Sequence, residues 1–156
     1  MKISCLAVGS RMPDWVDQGV EEYARRIRQS LGFSLIEIPM AKRGKSVSIA
    51  RCMAQEGQAM LDRISSADYV VALDVTGKSL DTAGLAGKLE DWRNLGRDIV
   101  LLIGGPDGLA EECLSRADTR WSLSALTLPH PLVLIVLAEQ LYRAHSLLQG
   151  HPYHRE

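Results

Sequence analysis

The side chains best suited to moving a proton or holding an anion lie near the end of the chain. His130 stands between Pro129 and Pro131, which restrict the backbone on either side of it. The last residues, His151-Pro152-Tyr153-His154-Arg155-Glu156 (the tail), combine groups that exchange protons with a cation. Chain ends are usually disordered, so two interpretations of the tail remain open, a catalytic segment and a simple polar terminus.

Other residues of the same types favour ordinary roles. His151 and His154 have the spacing of half a metal site, but a third ligand is missing nearby, and we expect no metal. Arg143 follows Tyr142 near the end of an apolar helix, a position more typical of packing and a surface cation than of catalysis. His130 is also compatible with a purely structural role.

Two loops rich in small residues suggest a pocket lined by backbone atoms. Gly104-Gly105-Pro106-Asp107-Gly108 (the glycine turn) follows a buried run, and glycine lets a ligand approach the backbone closely. Leu123-Ser124-Ala125-Leu126-Thr127-Leu128 (the leucine loop) alternates like a strand, but the two prolines after it stop a strand. The glycine turn has neither dinucleotide nor Walker spacing, so by itself it also fits a plain tight turn.

A third loop, Lys42-Arg43-Gly44-Lys45 (the basic loop), places three cations around a glycine. Such a run can bind phosphates, although it is more often a solvated surface loop. The formal net charge of −1 argues against a protein that binds naked nucleic acid without specificity, because such proteins are usually strongly basic. Any nucleic-acid affinity should therefore come from a local patch or from a structured partner.

The composition fits one globular domain spanning residues 1–156, with 46% hydrophobic and 24% charged residues. No apolar run has the length of a signal peptide core or a membrane span, so we expect a cytoplasmic protein without a membrane partner. Three isolated cysteines without metal-ligand spacing are expected to be buried, reduced thiols: Cys5, Cys52 and Cys113.

Strands and helices alternate along the chain. Strands are predicted at residues 3–8, 33–38, 69–73 and 99–103, and helices at residues 13–27, 48–64, 81–95 and 132–148, with a short helical segment after the glycine turn. This pattern predicts an α/β fold with a mostly parallel sheet and helices on both faces. In such sheets a ligand lies beyond the carboxyl ends of the strands, which brings Leu73, Gly104 and the loop after Trp121 to one crevice.

The last helix is apolar on every side over residues 132–138, which predicts burial in a subunit interface.

Taken in order, these motifs resemble the RlmH-type ribosomal RNA methyltransferases of the SPOUT class. The resemblance covers the whole chain and rests on six segments: Ala7-Val8-Gly9, the basic loop, the glycine turn, the leucine loop with Pro129-His130, Ala138-Glu139-Gln140-Leu141-Tyr142-Arg143-Ala144 and the tail. Members of this family methylate N3 of a pseudouridine in 23S ribosomal RNA, using S-adenosylmethionine. One departure is Leu134, where the family commonly has an arginine.

The resemblance implies a trefoil knot in the C-terminal third, a homodimer, and a cofactor site within the knot. The implied cofactor contacts are Leu73, Gly104, Gly105, Leu123, Ser124, Ala125, Leu126, Thr127 and Leu128. No covalent enzyme intermediate is needed, because the substrate nitrogen attacks an already activated methyl group. The enzyme must align the reacting atoms and help to remove the N3 proton.

Roles for the remaining candidates follow from the same resemblance. His130, Tyr153 and His154 are candidate bases, and Arg143 or Arg155 can stabilise negative charge on the carbonyl groups of the target base. Lys42, Arg43 and Lys45 are candidate contacts to 23S rRNA phosphates. We expect the tail to complete the partner subunit's site.

The near-neutral charge and the lack of an appended RNA-binding domain suggest the assembled ribosome as substrate. Two alternatives remain: a non-catalytic ribosome-binding dimer, and a nucleotide-dependent oxidoreductase on a doubly wound fold.

Overall fold

A five-stranded parallel sheet forms the centre of the computed structural model, which describes residues 1–9 and 12–154. The strands are β1 (Ile3–Val8), β2 (Ser34–Ile38), β3 (Tyr69–Ser79), β4 (Ile99–Ile103) and β5 (Thr119–Ser122), in the spatial order β2-β1-β4-β3-β5. The helices are α1 (Asp14–Ile27), α2 (Ile49–Leu61), α3 (Thr82–Leu95), α4 (Glu111–Arg116) and α5 (His130–Leu148), followed by a 3-10 turn (Pro152–His154). The predicted α/β architecture is confirmed.

Helices cover both faces of the sheet, which explains why β1, β4 and the first half of β3 are largely continuous apolar runs. Alternate residues of β1 point in opposite directions, so that Cys5 packs with α1, α3 and α5 while Leu6 packs with α2 and α4. Ala7 of β1 pairs with Ile103 of β4, and Ile103 pairs with Leu73 of β3. These three strands therefore bring their carboxyl ends to the same edge of the sheet.

The strand β3 is longer than predicted, because its second half pairs again with β5. The sequence predicted an end at Leu73, but pairing resumes at Lys78 after a register shift, and Trp121 pairs with both residues. Residues 74–77 form the bulge between these pairings. A Cβ at Gly77 would lie 2.6 Å from the backbone nitrogen of Trp121, so the bulge requires glycine there. The trefoil knot expected in this region stays a prediction.

The helix α5 starts at His130, earlier than predicted, because Pro131 is favourable in the first turn of a helix. It packs against α1 and α3 and buries Leu134 and Leu137, among others, in the core of its own subunit. The predicted burial of residues 132–138 in a subunit interface stays a prediction, and it concerns the side of α5 that remains accessible, with Leu132 40% exposed and Val136 partly exposed. Leu134 lies on the core side, away from that accessible side.

Two findings concern the described residues as a set. No helix within residues 1–9 and 12–154 is long and apolar enough to span a membrane. In the same ranges, no three His, Cys, Asp or Glu side chains cluster as metal ligands would, and the three cysteines are buried and unpaired.

Candidate functional site

A cavity of about 640 Å³ opens where β1, β3 and β4 end, and we call it the strand-end pocket. Its volume falls within the roughly 300–1,000 Å³ typical of small-molecule sites. The residues that line it are Val8, Gly9, Met12, Met40, Leu73, Asp74, Val75, Ile103, Gly104, Gly105, Pro106, Gly108, Leu109, Ser122, Leu123, Ser124, Leu126, Thr127, Leu128, His130 and Val133. All of the predicted cofactor contacts except Ala125, which is exposed, belong to this set.

The glycine turn forms one wall, and its backbone leaves no room for side chains at two positions. Gly105 and Gly108 pair with each other across the turn, and the Gly108 N–H donates to the Gly105 carbonyl at 3.1 Å. A Cβ at Gly104 would lie 2.4 Å from the carbonyl carbon of Gly108. A Cβ at Gly105 would meet the Val8 side chain at 2.8 Å. The turn therefore presents backbone to the pocket while its own packing excludes larger residues.

The leucine loop also lines the pocket and is an irregular segment rather than a strand. Serine hydroxyls hold its shape: Ser122 Oγ donates to the Ser124 carbonyl at 3.3 Å, and Ser124 Oγ accepts the Leu126 N–H at 2.9 Å. The Leu126 side chain is 74% exposed at the pocket mouth. An apolar group at the mouth suits contact with a planar ligand or with a second macromolecule.

His130 joins the pocket to α5, because it is both a lining residue and the first residue of that helix. Burial lowers the pKa of His130 below its ordinary value of 6.5, so its imidazole is neutral near pH 7. Its Nε2 atom is buried without a hydrogen-bond partner, and a Cβ at Gly9 would lie 3.3 Å from that atom. Neutral imidazole inside a cavity can accept a proton from a bound substrate.

Arg143 and Tyr153 lie outside the strand-end pocket and meet at Glu139 on α5. Arg143 Nε donates to Glu139 Oε1 at 2.8 Å, and the Tyr153 hydroxyl donates to the same oxygen at 3.1 Å. The Tyr153 ring also packs on Tyr142, with ring centroids 4.4 Å apart. At 1.5 Å rise per residue, Glu139 lies about 14 Å along α5 from His130. Tyr153 therefore docks away from the pocket of its own subunit.

The surroundings of Tyr153 set its protonation state. Burial, followed by the charge of Glu139 and the hydrogen bond to it, raises the pKa of Tyr153 to about 12. A phenol with this pKa remains protonated at neutral pH, so it can donate a hydrogen bond but is not available as a base. His154 is partly buried with its Nδ1 unpartnered, and Arg155 lies outside the described residues.

The three cations of the basic loop lie in two different environments. Lys42 and Lys45 are exposed. Arg43 instead forms ion pairs with Glu56 of α2 and Asp107 of the glycine turn. Met40, just before this loop, lines the strand-end pocket, so the basic loop lies beside the pocket.

Several lining residues were not among the predicted cofactor contacts, of which Val8, Gly9 and Asp74 are the most informative. Val8 and Gly9 lie at the carboxyl end of β1, and Asp74 follows the first pairing of β3 with β5, so the rule that selected Leu73 and Gly104 also applied to them. Asp74 supplies a carboxylate, whose Oδ2 accepts the Thr76 N–H at 3.3 Å and its hydroxyl.

Comparison with known proteins gives matches along nearly the whole chain. The family described as "Predicted SPOUT methyltransferase" matches residues 1–154. A "Ribosomal RNA large subunit methyltransferase H" from Hahella chejuensis is 53% identical over 156 residues, covering 100% of both chains. Proteins of the same name from Chromohalobacter salexigens and Saccharophagus degradans are each 55% identical over 155 residues, covering 99% of this chain and 100% of theirs.

Solved structures share the fold at low sequence identity. A chain from a structural study of the 2-OH methylation of C/U34 on tRNA aligns with a TM-score of 0.50 and 18% identity, covering 96% of this chain and 98% of that one. A probable methylase family protein from Haemophilus influenzae aligns with a TM-score of 0.52 and 14% identity, covering 99% and 70% respectively. These likenesses concern the fold alone.

Proposed function

The chain belongs to the SPOUT methyltransferase family, and from that premise we propose that it methylates N3 of a pseudouridine in 23S ribosomal RNA with S-adenosylmethionine. The observation that carries this proposal is the strand-end pocket, whose lining includes the glycine turn and most of the leucine loop. Full-length identity of 53–55% to proteins named ribosomal RNA large subunit methyltransferase H supports ribosomal RNA as the substrate.

The residues of the pocket fit S-adenosylmethionine by chemistry and by shape. Apolar side chains such as Ile103 and Val133 suit an adenine ring, and backbone groups of the leucine loop suit its polar edge. Asp74 supplies a carboxylate that favours a sulfonium cation. A Cβ at Gly104 would collide with the backbone of Gly108 and Leu109, so glycine at this position keeps the turn tight at the edge of the pocket. When bound, the cofactor supplies an activated methyl group.

The residues of this chain then have to orient the base and remove one proton. We assign removal of the N3 proton to His130, because the ring of His130 lines the pocket and is neutral near pH 7. The protonated Tyr153 is suited to donate a hydrogen bond to a base carbonyl, and Arg143 or Arg155 to stabilise negative charge there. Proton removal and charge stabilisation are thereby divided between the pocket and the tail.

This division requires two subunits, so the active protein is proposed to be a homodimer. Tyr153 packs on the middle of α5, remote from the pocket of its own chain. Leu132 and Val136 leave an apolar strip on the accessible side of α5, which suits a two-fold contact between helices. Such a contact would carry the tail of one subunit to the pocket of the other.

The proposed substrate is the assembled ribosome in the cytoplasm. Lys42 and Lys45 are exposed beside the pocket and suit phosphate contacts, whereas the net charge of −1 gives no general affinity for RNA. A base in an RNA loop can leave the stack and enter a pocket more easily than a paired base.

The direct test supplies radiolabelled S-adenosylmethionine and three substrates: free 23S rRNA, large subunits and whole ribosomes, all carrying pseudouridine without the N3 methyl group. Nucleoside mass spectrometry identifies the product. We expect N3-methylpseudouridine from ribosomal particles. Ribosome binding without methyl transfer would support the non-catalytic dimer, and thermal stabilisation by NADH rather than by S-adenosylmethionine would support the oxidoreductase.

A further inference from the structure

Arg43 connects the glycine turn, which lines the strand-end pocket, to helix α2. Its Nη2 donates to Asp107 Oδ2 of the glycine turn at 3.0 Å, and its Nε donates to the same oxygen at 3.3 Å. On the other side, Nη2 donates to Glu56 Oε1 of α2 at 3.3 Å, and Nη1 donates to Glu56 Oε2. One guanidinium therefore joins the glycine turn to α2 through two carboxylates.

Glu56 is the buried partner of Arg43. It is 3% exposed, in the middle of α2, where an ionised carboxylate requires partners. Besides Arg43 it accepts the backbone N–H of Ala41 at 2.9 Å. Arg43 also donates to the Ala41 carbonyl at 2.8 Å. The pair thus holds the backbone that enters the basic loop.

Both held segments adjoin pocket walls. Ala41 follows Met40, a lining residue, and Asp107 lies between the lining residues Pro106 and Gly108. A Cβ at Gly105 would lie 3.5 Å from Glu56 Oε1, so α2 also supports the turn from behind. Arg43 and its carboxylate partners therefore fix the position of the glycine turn relative to the segment that contains Met40 and Ala41.

We propose that Arg43 is a positioning residue that holds the glycine turn in the conformation that binds the cofactor, rather than a contact to RNA phosphates. Its guanidinium is engaged by carboxylates, whereas Lys42 and Lys45 leave their charge to the solvent. Only arginine presents a planar fork that contacts two carboxylates at once, so lysine is not an adequate replacement. This inference rests on the proposed function for the identity of the ligand.

The first measurement is cofactor affinity by calorimetry on the intact protein. Arg43→Gln alone leaves Glu56 buried without its counter-ion, so the informative variants are R43Q/E56Q and D107N. Asp107 is 30% exposed in its side chain, and its amide replacement leaves the core untouched. We expect the dissociation constant for S-adenosylmethionine to rise about tenfold in each. The control R28Q removes an arginine from an exposed ion pair with Glu21 and should bind as wild type does.

The second measurement needs no ligand. Amide hydrogen exchange at Gly108, whose N–H closes the turn onto Gly105, should speed up in R43Q/E56Q and in D107N but not in R28Q. Unchanged exchange in both variants would overturn the positioning role. If exchange speeds up while wild-type protein shows no affinity for S-adenosylmethionine, the positioning role stands and the proposed function fails. If R43Q/E56Q instead keeps its cofactor affinity but shows a smaller slope of log ribosome affinity against log salt, Arg43 contacts RNA phosphates and the positioning role is wrong.

Discussion

Gly104 is the pocket residue at which the smallest substitution should have the largest effect on binding. A Cβ there would lie 2.4 Å from the Gly108 carbonyl carbon and 2.6 Å from the Leu109 nitrogen, and backbone atoms cannot move aside as a flexible side chain can. We expect Gly104→Ala to displace the turn and weaken S-adenosylmethionine binding by at least about tenfold, in line with 1–3 kcal/mol for overpacking. Calorimetry on the folded variant measures this directly.

Gly87 provides the matched control. It lies in α3, and a Cβ there meets nothing within 4 Å. Gly87→Ala should therefore leave cofactor binding unchanged and stabilise the helix by roughly 0.5–1 kcal/mol. Equal affinities for the two alanine variants would remove the glycine turn from the binding site.

His130 is the residue that should set the acidic side of the pH–rate profile. Burial lowers its pKa below 6.5, so the ring is neutral and able to accept a proton at pH 7 and is protonated only at lower pH. As the pH is lowered, the methyl-transfer rate at saturating substrate should fall, and the midpoint of this decrease should lie below pH 6.5. Tyr153, with a pKa raised to about 12, should add no further ionisation between pH 6.5 and 9.

The variant His130→Asn should lower the rate by about 10² to 10⁴, the usual contribution of a general base. It should also remove the acidic limb while leaving cofactor affinity within about threefold of wild type. If the rate of this variant still falls at acidic pH with the same midpoint, another group removes the N3 proton, and His154 would be the next residue to test.

At the scale of elements, we propose two functions for the basic loop, phosphate contact by its exposed lysines and positioning of the glycine turn by Arg43. Removing the exposed charges with Lys42→Gln and Lys45→Gln should weaken ribosome binding and reduce the slope of log affinity against log salt by about two, one for each lost phosphate contact. Cofactor affinity should not change, because neither lysine lines the strand-end pocket. Filter binding at several salt concentrations gives the slope, and an unaltered slope would make the loop a solvated surface.

Elements governed by local patterns were predictable from the sequence. The four long helices and four of the strands follow from apolar periodicity, and α3 has the expected limits because Asp81 caps its start and Gly96 adopts φ 67° at its end. The strand-end rule brought Leu73, Gly104 and the leucine loop to one crevice, where the structure has a pocket.

Features that depend on distant partners were not predictable. β5 and the second half of β3 become strands by pairing with each other around Gly77, and their short sequences carry no periodic signal. The partners of Arg43 are 13 and 64 residues away, so a charged run that looks solvated in sequence contains a buried contact. Tyr153 likewise finds Glu139 only after the chain turns back along α5.

For the whole molecule, the accessible side of α5 is the surface that should join two subunits. Val136 is partly exposed there beside Leu132, and an aspartate at this position would be buried without a counter-ion in a helix–helix contact. We expect Val136→Asp to shift the protein from dimer to monomer in sedimentation velocity, with its helical circular dichroism retained.

The control variant Gln55→Asp adds the same charge on α2, which lies on the opposite face of the sheet. It should remain dimeric. A folded Val136→Asp protein that still sediments as a dimer would place the interface elsewhere.

The tail gives the sharpest test of the proposal that two subunits divide the reaction. Within one chain, Tyr153 is held by Glu139 and Tyr142 on the middle of α5, and neither Arg143 nor Tyr153 lines the pocket. A chain that ends at Gly150 should therefore still dimerise and bind the cofactor, while methyl transfer is lost. His130→Asn has the opposite defect, since it keeps the tail and lacks the proposed base in the pocket.

Mixing these two inactive proteins under conditions of subunit exchange separates action in trans from action in cis. In a mixed dimer, the intact pocket of the truncated chain would be completed by the intact tail of the His130→Asn chain. If the tail acts across the interface, activity should return to about one quarter of the wild-type value, because half of the dimers are mixed and each contains one complete site. If the tail acts within its own chain, no subunit in the mixture has both parts, and activity should stay at the level of the separate variants. Recovered methyl transfer that disappears when Val136→Asp is added to both chains would show that the dimer itself assembles the site.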